Sequence, residues 1–251
     1  MASTISKRII KAAVLLFWIA VWEIASLLIG EELFLPSPVS VFLTLVHLAS
    51  RSSFWLSILY SISRIIAGFL SALILAVAFA SISSTVPLVR YLLDPAVRTM
   101  RAVPVASIII LVLVWIRSRN LAVAISFLMV FPIIYTSVLD GITSMDRRLL
   151  EMADDYRITR IKRIRYVIVP SVYPFFDSAL RTSLGLAWKS GIAAEVIGLP
   201  TGTIGEMLYQ AKIYLMTSDL FAWTAVIIAL SWIFEKAVLS LSSFLRGRIE
   251  A

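Results

Sequence analysis

The sequence predicts an all-α integral membrane protein, one transmembrane domain over residues 1–251 with about six transmembrane helices and a single cytoplasmic helical loop. Composition is the first reason: 60% of the residues are hydrophobic and 15% charged, and the mean hydropathy is +0.95, whereas a soluble domain needs about 25% charge to cover its surface. The second reason is length, because the apolar residues fall into runs of ~15–24, enough for a helix rising 1.5 Å per residue to cross ~30 Å of hydrocarbon. The third is the distribution of basic residues. Of the 23 Lys and Arg, fifteen fall in alternate connections: Lys7, Arg8 and Lys11; Arg90, Arg98 and Arg101; seven between 147 and 165; and Arg246 and Arg248. The opposite connections hold only Arg51, Arg117, Arg119 and Lys212. Because Lys and Arg stay on the cytoplasmic side, both termini and the 141–170 loop are expected there.

The spans follow in order at about 10–29, 57–80, 103–117, 121–140, 172–194 and 219–240. The first follows a basic stretch, as a signal peptide would, but it runs on to Gly30 without a small-residue cleavage site, so a retained span is expected. Pro36 and Pro38 break the chain after it, and Ser37 or Ser40 is placed to start an interfacial helix. The third span is the shortest. Residues 81–102, with Pro87, Asp94 and Pro95, read as a polar connection, and 117–120 as a tight turn.

The loop at 141–170 has internal order beyond its charge. Asp146 is placed to cap a helix, and Leu149, Leu150, Ala153, Tyr156 and Ile161 recur at intervals that make one apolar face. A short helix in water is marginal, so that face needs a partner protein or the membrane surface. Asp154 and Asp155 count against anionic lipid.

Glu151, Ala153, Val167, Val169 and Pro170 stand at the offsets of the EAA loop of ABC importer permeases, which this sequence resembles. Met152 replaces the middle Ala of that pattern and Arg157 the Gly, so the loop is expected to turn differently or to continue as one helix. The resemblance covers nearly the whole chain and is strongest to permeases for nitrate, sulfonate and taurine. It rests on Leu35 to Pro38, Ser61 to Phe69, Asp94-Pro95, Arg101 to Pro104 and Gly185 to Gly198. It implies a type I importer permease in the bacterial or archaeal inner membrane, with Asp146, Leu150, Glu151, Met152, Ala153, Tyr156, Arg157 and Pro170 forming the coupling loop. The partners it implies are a cytoplasmic ABC ATPase dimer carrying ATP and Mg, a second permease copy, an extracytoplasmic solute-binding protein and surrounding lipid.

The chemistry missing from the chain agrees with that division of labour. No Gly-x-x-x-x-Gly-Lys-Ser/Thr run exists to cradle a nucleotide, and GLPTGTIGE at 198–206 lacks the Lys and reads as a turn capped by Thr203. There is no cysteine, one histidine, and no reactive or metal-ligating constellation, so no cofactor or metal is expected on this chain. The positive net charge belongs to membrane orientation rather than to nucleic acid. Charges inside spans are costly and suggest a pathway or a pairing role. Lys189, Ser190 and Glu195 are the pathway candidates, and the resemblance implies a small anion such as sulfonate, taurine or nitrate as the solute. Pairing of Lys189 with Glu195 is the structural alternative, and Asp177 with Arg181 suits an i, i+4 pair. An importer of a vitamin precursor or another small organic solute, an ATP-independent secondary transporter and a membrane enzyme are the competing functions.

Overall fold

Long apolar runs without breakers become long helices, and prolines or glycines mark where they stop. The computed structural model describes residues 2–250. The side chains of Lys7, Arg8, Lys11, Arg147, Arg246 and Arg248, on which part of the orientation rests, lie outside the described residues. All regular structure among the described residues is helical: α1 (Ala2–Ile29), α2 (Pro38–Ala49), α3 (Ser52–Thr85), α4 (Pro87–Ala102), α5 (Val105–Leu113), α6 (Ser118–Thr143), α7 (Arg147–Asp155), α8 (Arg160–Arg163), a π-helical turn (Ile164–Ile168), α9 (Val169–Gly198), α10 (Ile204–Ile213) and α11 (Thr217–Glu250).

Within the described residues, α1, α3, α6 and α11 are long and apolar enough to cross a membrane, and the bent pair α4–α5 makes a possible fifth crossing. The fifth expected span lies within α9, whose 30 residues carry Asp177, Arg181, Lys189 and Glu195 and do not meet a purely apolar criterion. The third expected span is only the nine-residue α5, about 14 Å long. It meets α4 at 110° because Val103, held extended before Pro104 (φ −80°, ψ 134°), cannot continue a helix. Residues 81–102, expected as a connection, are largely this amphipathic α4, and 117–120 is a helix start, with Arg117 preceding α6. Ser37 caps α2 as expected, its Oγ accepting from the Ser40 N–H at 3.1 Å with Pro38 at the first helical position.

Helix α6 forms the centre of the bundle, between α3 and α9. Small residues set that spacing. A Cβ at Gly68 of α3 would run into the Val123 carbonyl of α6, and one at Gly191 of α9 would sit 2.6 Å from Ile65 Cγ1 and 2.8 Å from Ser126 Oγ. Close approach lets Ser126 donate to the Ala187 carbonyl at 3.1 Å, and Tyr135 donate to Ser83 at 3.0 Å. Phe127, Phe131 and Tyr135 stack along one face of α6. Among the described side chains of α1, contact with the body comes towards its end, where Trp22 donates to the Pro36 carbonyl at 3.0 Å and Ser26 to that of Leu35 at 2.8 Å. The α7–α8 loop and α10 lie at opposite ends of α9, so the bundle separates them by about 45 Å of helix.

Candidate functional site

The loop between α6 and α9 is built by local hydrogen bonds. Asp146 is extended (φ −62°, ψ 123°) and its Oδ1 accepts from the Arg148 N–H at 2.9 Å, which starts α7 where the sequence places a cap. The helix ends in a Schellman turn: Ile158 N–H reaches the Ala153 carbonyl at 3.0 Å and Arg157 N–H that of Asp154 at 2.9 Å. This closure requires a left-handed residue, and Arg157 supplies it with φ +49°. The loop therefore turns as a glycine at this position would allow, and does not run on as one helix. Asp154 and Arg163 then bridge the turn in an ion pair of 2.6 Å.

The face expected to dock divides in two. Ala153 is 1% exposed, packed within its own chain, whereas Tyr156 is 78% and Ile161 79% exposed. Leu149, Glu151 and Met152 are also exposed and Leu150 is half-buried. The outward apolar surface of α7 is thus Leu149, Met152 and Tyr156. Ala153 has a different part: its side chain is buried and its carbonyl closes the turn. Pro170 does not end the loop helix. It falls in the first turn of α9 directly after the π-helical turn, in a chain already helical from Arg160 on.

The candidates on α9 separate by face. Lys189 is exposed and has no hydrogen-bond or ion partner among the described residues. It shares an open stripe with Ser178, Thr182 and Gly185, at i, i+4, i+7 and i+11, and a Cβ at Gly185 would meet nothing within 4 Å. Arg181 borders the stripe and is paired with Asp177 at 2.9 Å, the i, i+4 pair expected. Ser190 is buried, its Oγ donating back to the Ala187 carbonyl at 3.3 Å. Glu195 is fully buried on a third face, so Lys189 and Glu195 do not pair. Instead, Glu195 Oε2 accepts from Ser61 of α3 at 2.7 Å and from the Gly205 N–H of α10 at 3.2 Å, while the Ile204 N–H donates to Ser61 Oγ at 3.0 Å. Thr203 caps α10 as expected, accepting from the Glu206 N–H at 3.3 Å.

Sequence reasoning missed Ser61 as the partner of Glu195, 134 positions away. The available signal was the rule that a buried carboxylate needs donors, but nothing in the order of residues says which serine serves. It also missed Ser178 and Thr182, whose stripe is legible only once the other faces of α9 are known to be filled. No group of three or more metal-ligating side chains occurs among the described residues.

An α-helical membrane bundle with a capped, outward-facing amphipathic helix at one end and a polar stripe along a central helix is the architecture of a transport permease. Residues 65–249 match the family described as "Binding-protein-dependent transport system inner membrane component", and the chain belongs to this family of permease subunits of ABC importers. It is 27% identical over 236 residues to the taurine transport system permease protein TauC of Escherichia coli (strain K12), covering 92% of this chain and 84% of that protein. It is 31% identical over 208 residues to the putative aliphatic sulfonates transport permease protein SsuC of the same organism, covering 79% and 76%. The nitrate import permease protein NrtB of Synechococcus elongatus is 24% identical, with 77% and 73% covered. The crystal structure of an amino acid ABC transporter with histidines has the same fold, with a TM-score of 0.52 at 17% identity over 76% of this chain and 90% of that one.

Proposed function

We propose that this permease imports a small anion of the sulfonate, taurine or nitrate kind, and that Lys189 meets the solute on its way through the membrane. The observation that carries this reading is the unpaired Lys189 on the open stripe of α9. A lysine facing lipid at mid-helix is costly, so the stripe calls for water and solute, enclosed by a second copy of the chain. Helix α9 is then the sixth crossing, despite its charges. The relatives named above support the choice of anion, since three of them are named as permeases for taurine, aliphatic sulfonates and nitrate.

In this reading α7 seats on a separate cytoplasmic ATPase subunit through Leu149, Glu151, Met152 and Tyr156, and ATP and Mg act there, since the chain has no nucleotide-binding run of its own. Closure of the ATPase dimer draws the two α7 helices together and rocks α9 against its copy. The solute, delivered by a binding protein at the α10 end, passes along the stripe. Nucleotide supplies the free energy and the permease two states of different affinity.

The test is uptake of labelled taurine, an alkanesulfonate and nitrate by proteoliposomes holding the permease with its ATPase and binding protein. Lys189→Met is expected to lower uptake at least tenfold and Lys189→Arg only a few-fold. Transport of a neutral vitamin precursor in place of all three anions, unaffected by Lys189→Met, would overturn the anion reading. Uptake by the permease alone down an ion gradient would sink the importer mechanism.

A further inference from the structure

The turn between α5 and α6 presents polar groups that nothing in the bundle answers. The side chains of Arg117 and Asn120 have no hydrogen-bond or ion partner among the described residues. Both line a cavity of about 670 Å³ on the side of α6 next to α3. Its floor is apolar, formed by Val123, Ala124 and Phe127 of α6 with Ser71 of α3 beside them. No carboxylate lines it, so the charge of Arg117 is uncompensated there.

Helix α6 sets the depth of this cavity in the membrane. Residues 121–139 carry no charge and make about 28 Å of helix, close to the ~30 Å of the hydrocarbon core. Asp140 marks the boundary next to the α7 loop, and Arg117, Arg119 and Asn120 mark the opposite one. Trp115, 73% exposed, lies beside Arg117, as aromatic rings do at headgroup level. From Arg117 to Phe127 is about 15 Å of helix, half of the core. The cavity is thus a groove one leaflet deep with a cation at its mouth. It is not continuous with the stripe of Lys189. Ser126 of α6 meets Ala187 of α9, and Lys189 is turned about 200° from Ala187, so α9 stands between the two.

We propose that this cavity binds one anionic phospholipid in the leaflet away from α7, the outer leaflet in the proposed orientation. The Arg117 guanidinium pairs with the phosphodiester, the Asn120 amide donates to it, and an acyl chain lies on Val123, Ala124 and Phe127. The lining selects the headgroup. With no carboxylate to receive an ammonium, the amine of phosphatidylethanolamine would lack a partner, whereas phosphatidylglycerol leaves nothing unmatched. The apolar floor requires a tail as well as a head, so a free oxyanion would fill the mouth and leave the groove bare. The site goes beyond the transport reading and does not depend on which solute is carried.

The experiment is native mass spectrometry of the full-length permease with its ATPase, delipidated and then exposed to phosphatidylglycerol or phosphatidylethanolamine. Wild type is expected to retain phosphatidylglycerol about tenfold better. Arg117→Gln is expected to lose one such lipid per permease copy, while Arg117→Lys keeps it, as does Arg119→Gln, which lies off the cavity. Ala124→Trp fills the floor without touching the charge and is expected to lose the same lipid, so the test stands even if Arg117→Gln fails to accumulate. Wild-type retention in Ala124→Trp overturns the proposal, as does equal retention of the two lipids. Equal loss in Arg119→Gln and Arg117→Gln would mean diffuse charge attraction and overturns it too. Displacement of the lipid by millimolar hexanesulfonate would make the cavity a solute site instead. Because the chain has no cysteine, Trp115→Cys can be oxidised in native membranes. It is expected to stay monomeric, and a disulfide-linked dimer would put a second copy over the cavity and end the lipid assignment.

Discussion

Arg157 is a non-glycine residue in the left-handed region, and its backbone is tolerated because two hydrogen bonds of the Schellman closure depend on it. A Cβ there costs about 1–2 kcal/mol relative to glycine. Arg157→Gly is therefore expected to raise the unfolding midpoint in detergent by roughly 2–4 °C per kcal/mol relieved, with uptake unchanged. A lower midpoint would mean that the Arg157 side chain holds more than its backbone gives up. Gly205 is the reverse case, since a Cβ would meet the Glu195 side chain and backbone. Gly205→Ala is expected to cost about 1–3 kcal/mol or more and to show as lower membrane yield by immunoblot. Yield equal to wild type would show that α10 can move off α9 without loss.

The elements make their own predictions. Helix α7 is nine residues long and cannot hold itself together in water, so its cap matters. Asp146→Ala removes one acceptor from the first turn and is expected to cost about 1 kcal/mol, seen as faster amide exchange confined to α7. The Asp154–Arg163 pair closes the same loop on its other side, but Asp154 is 68% exposed, so its loss is expected to cost under about 1 kcal/mol and to be masked by salt. With α7 docked on the ATPase as proposed, its two faces separate coupling from folding. Met152→Arg or Tyr156→Arg, on the exposed face, is expected to abolish co-purification with the ATPase while the permease accumulates normally. Ala153→Asp, on the buried face, is expected to lower accumulation of the permease itself. If Ala153→Asp alone broke the complex and left the permease intact, the assignment of faces would be inverted. The caps at Ser37, Asp146 and Thr203 were all legible in the sequence because each spans two or three residues. The α4–α5 bend was not read, although Val103-Pro104 carried its signal, because hydropathy counts residues and ignores the direction in which the helix travels.

At the scale of the whole molecule, α3 and α11 each run 34 residues, about 51 Å, against ~30 Å of hydrocarbon, so they tilt or reach past the membrane. The side chains bounding α9 divide its surroundings: Gly191 and Ala187 towards α6, Glu195 towards α3 and α10, Trp188 towards Phe234 of α11. What remains open is the stripe of Ser178, Thr182, Gly185 and Lys189. In a bilayer such a stripe is stable only against water or a second copy. Cross-linking of a Gly185→Cys variant is expected to give a covalent dimer in native membranes; only monomer, with intact uptake, would place the partner elsewhere.

The sequence by itself determined that the chain is a helical membrane protein, where its caps lie and which loop carries the amphipathic helix, because these follow from composition, local hydrogen bonds and spacing within one turn. The same local reading could list Lys189, Ser190 and Glu195 together, since they are near neighbours along one helix. Only the tertiary structure decided that one is open, one is buried against its own backbone and one holds three helices together. The reason is geometric: residues along a helix point in directions 100° apart, and what each meets is set by helices contributed from distant parts of the chain.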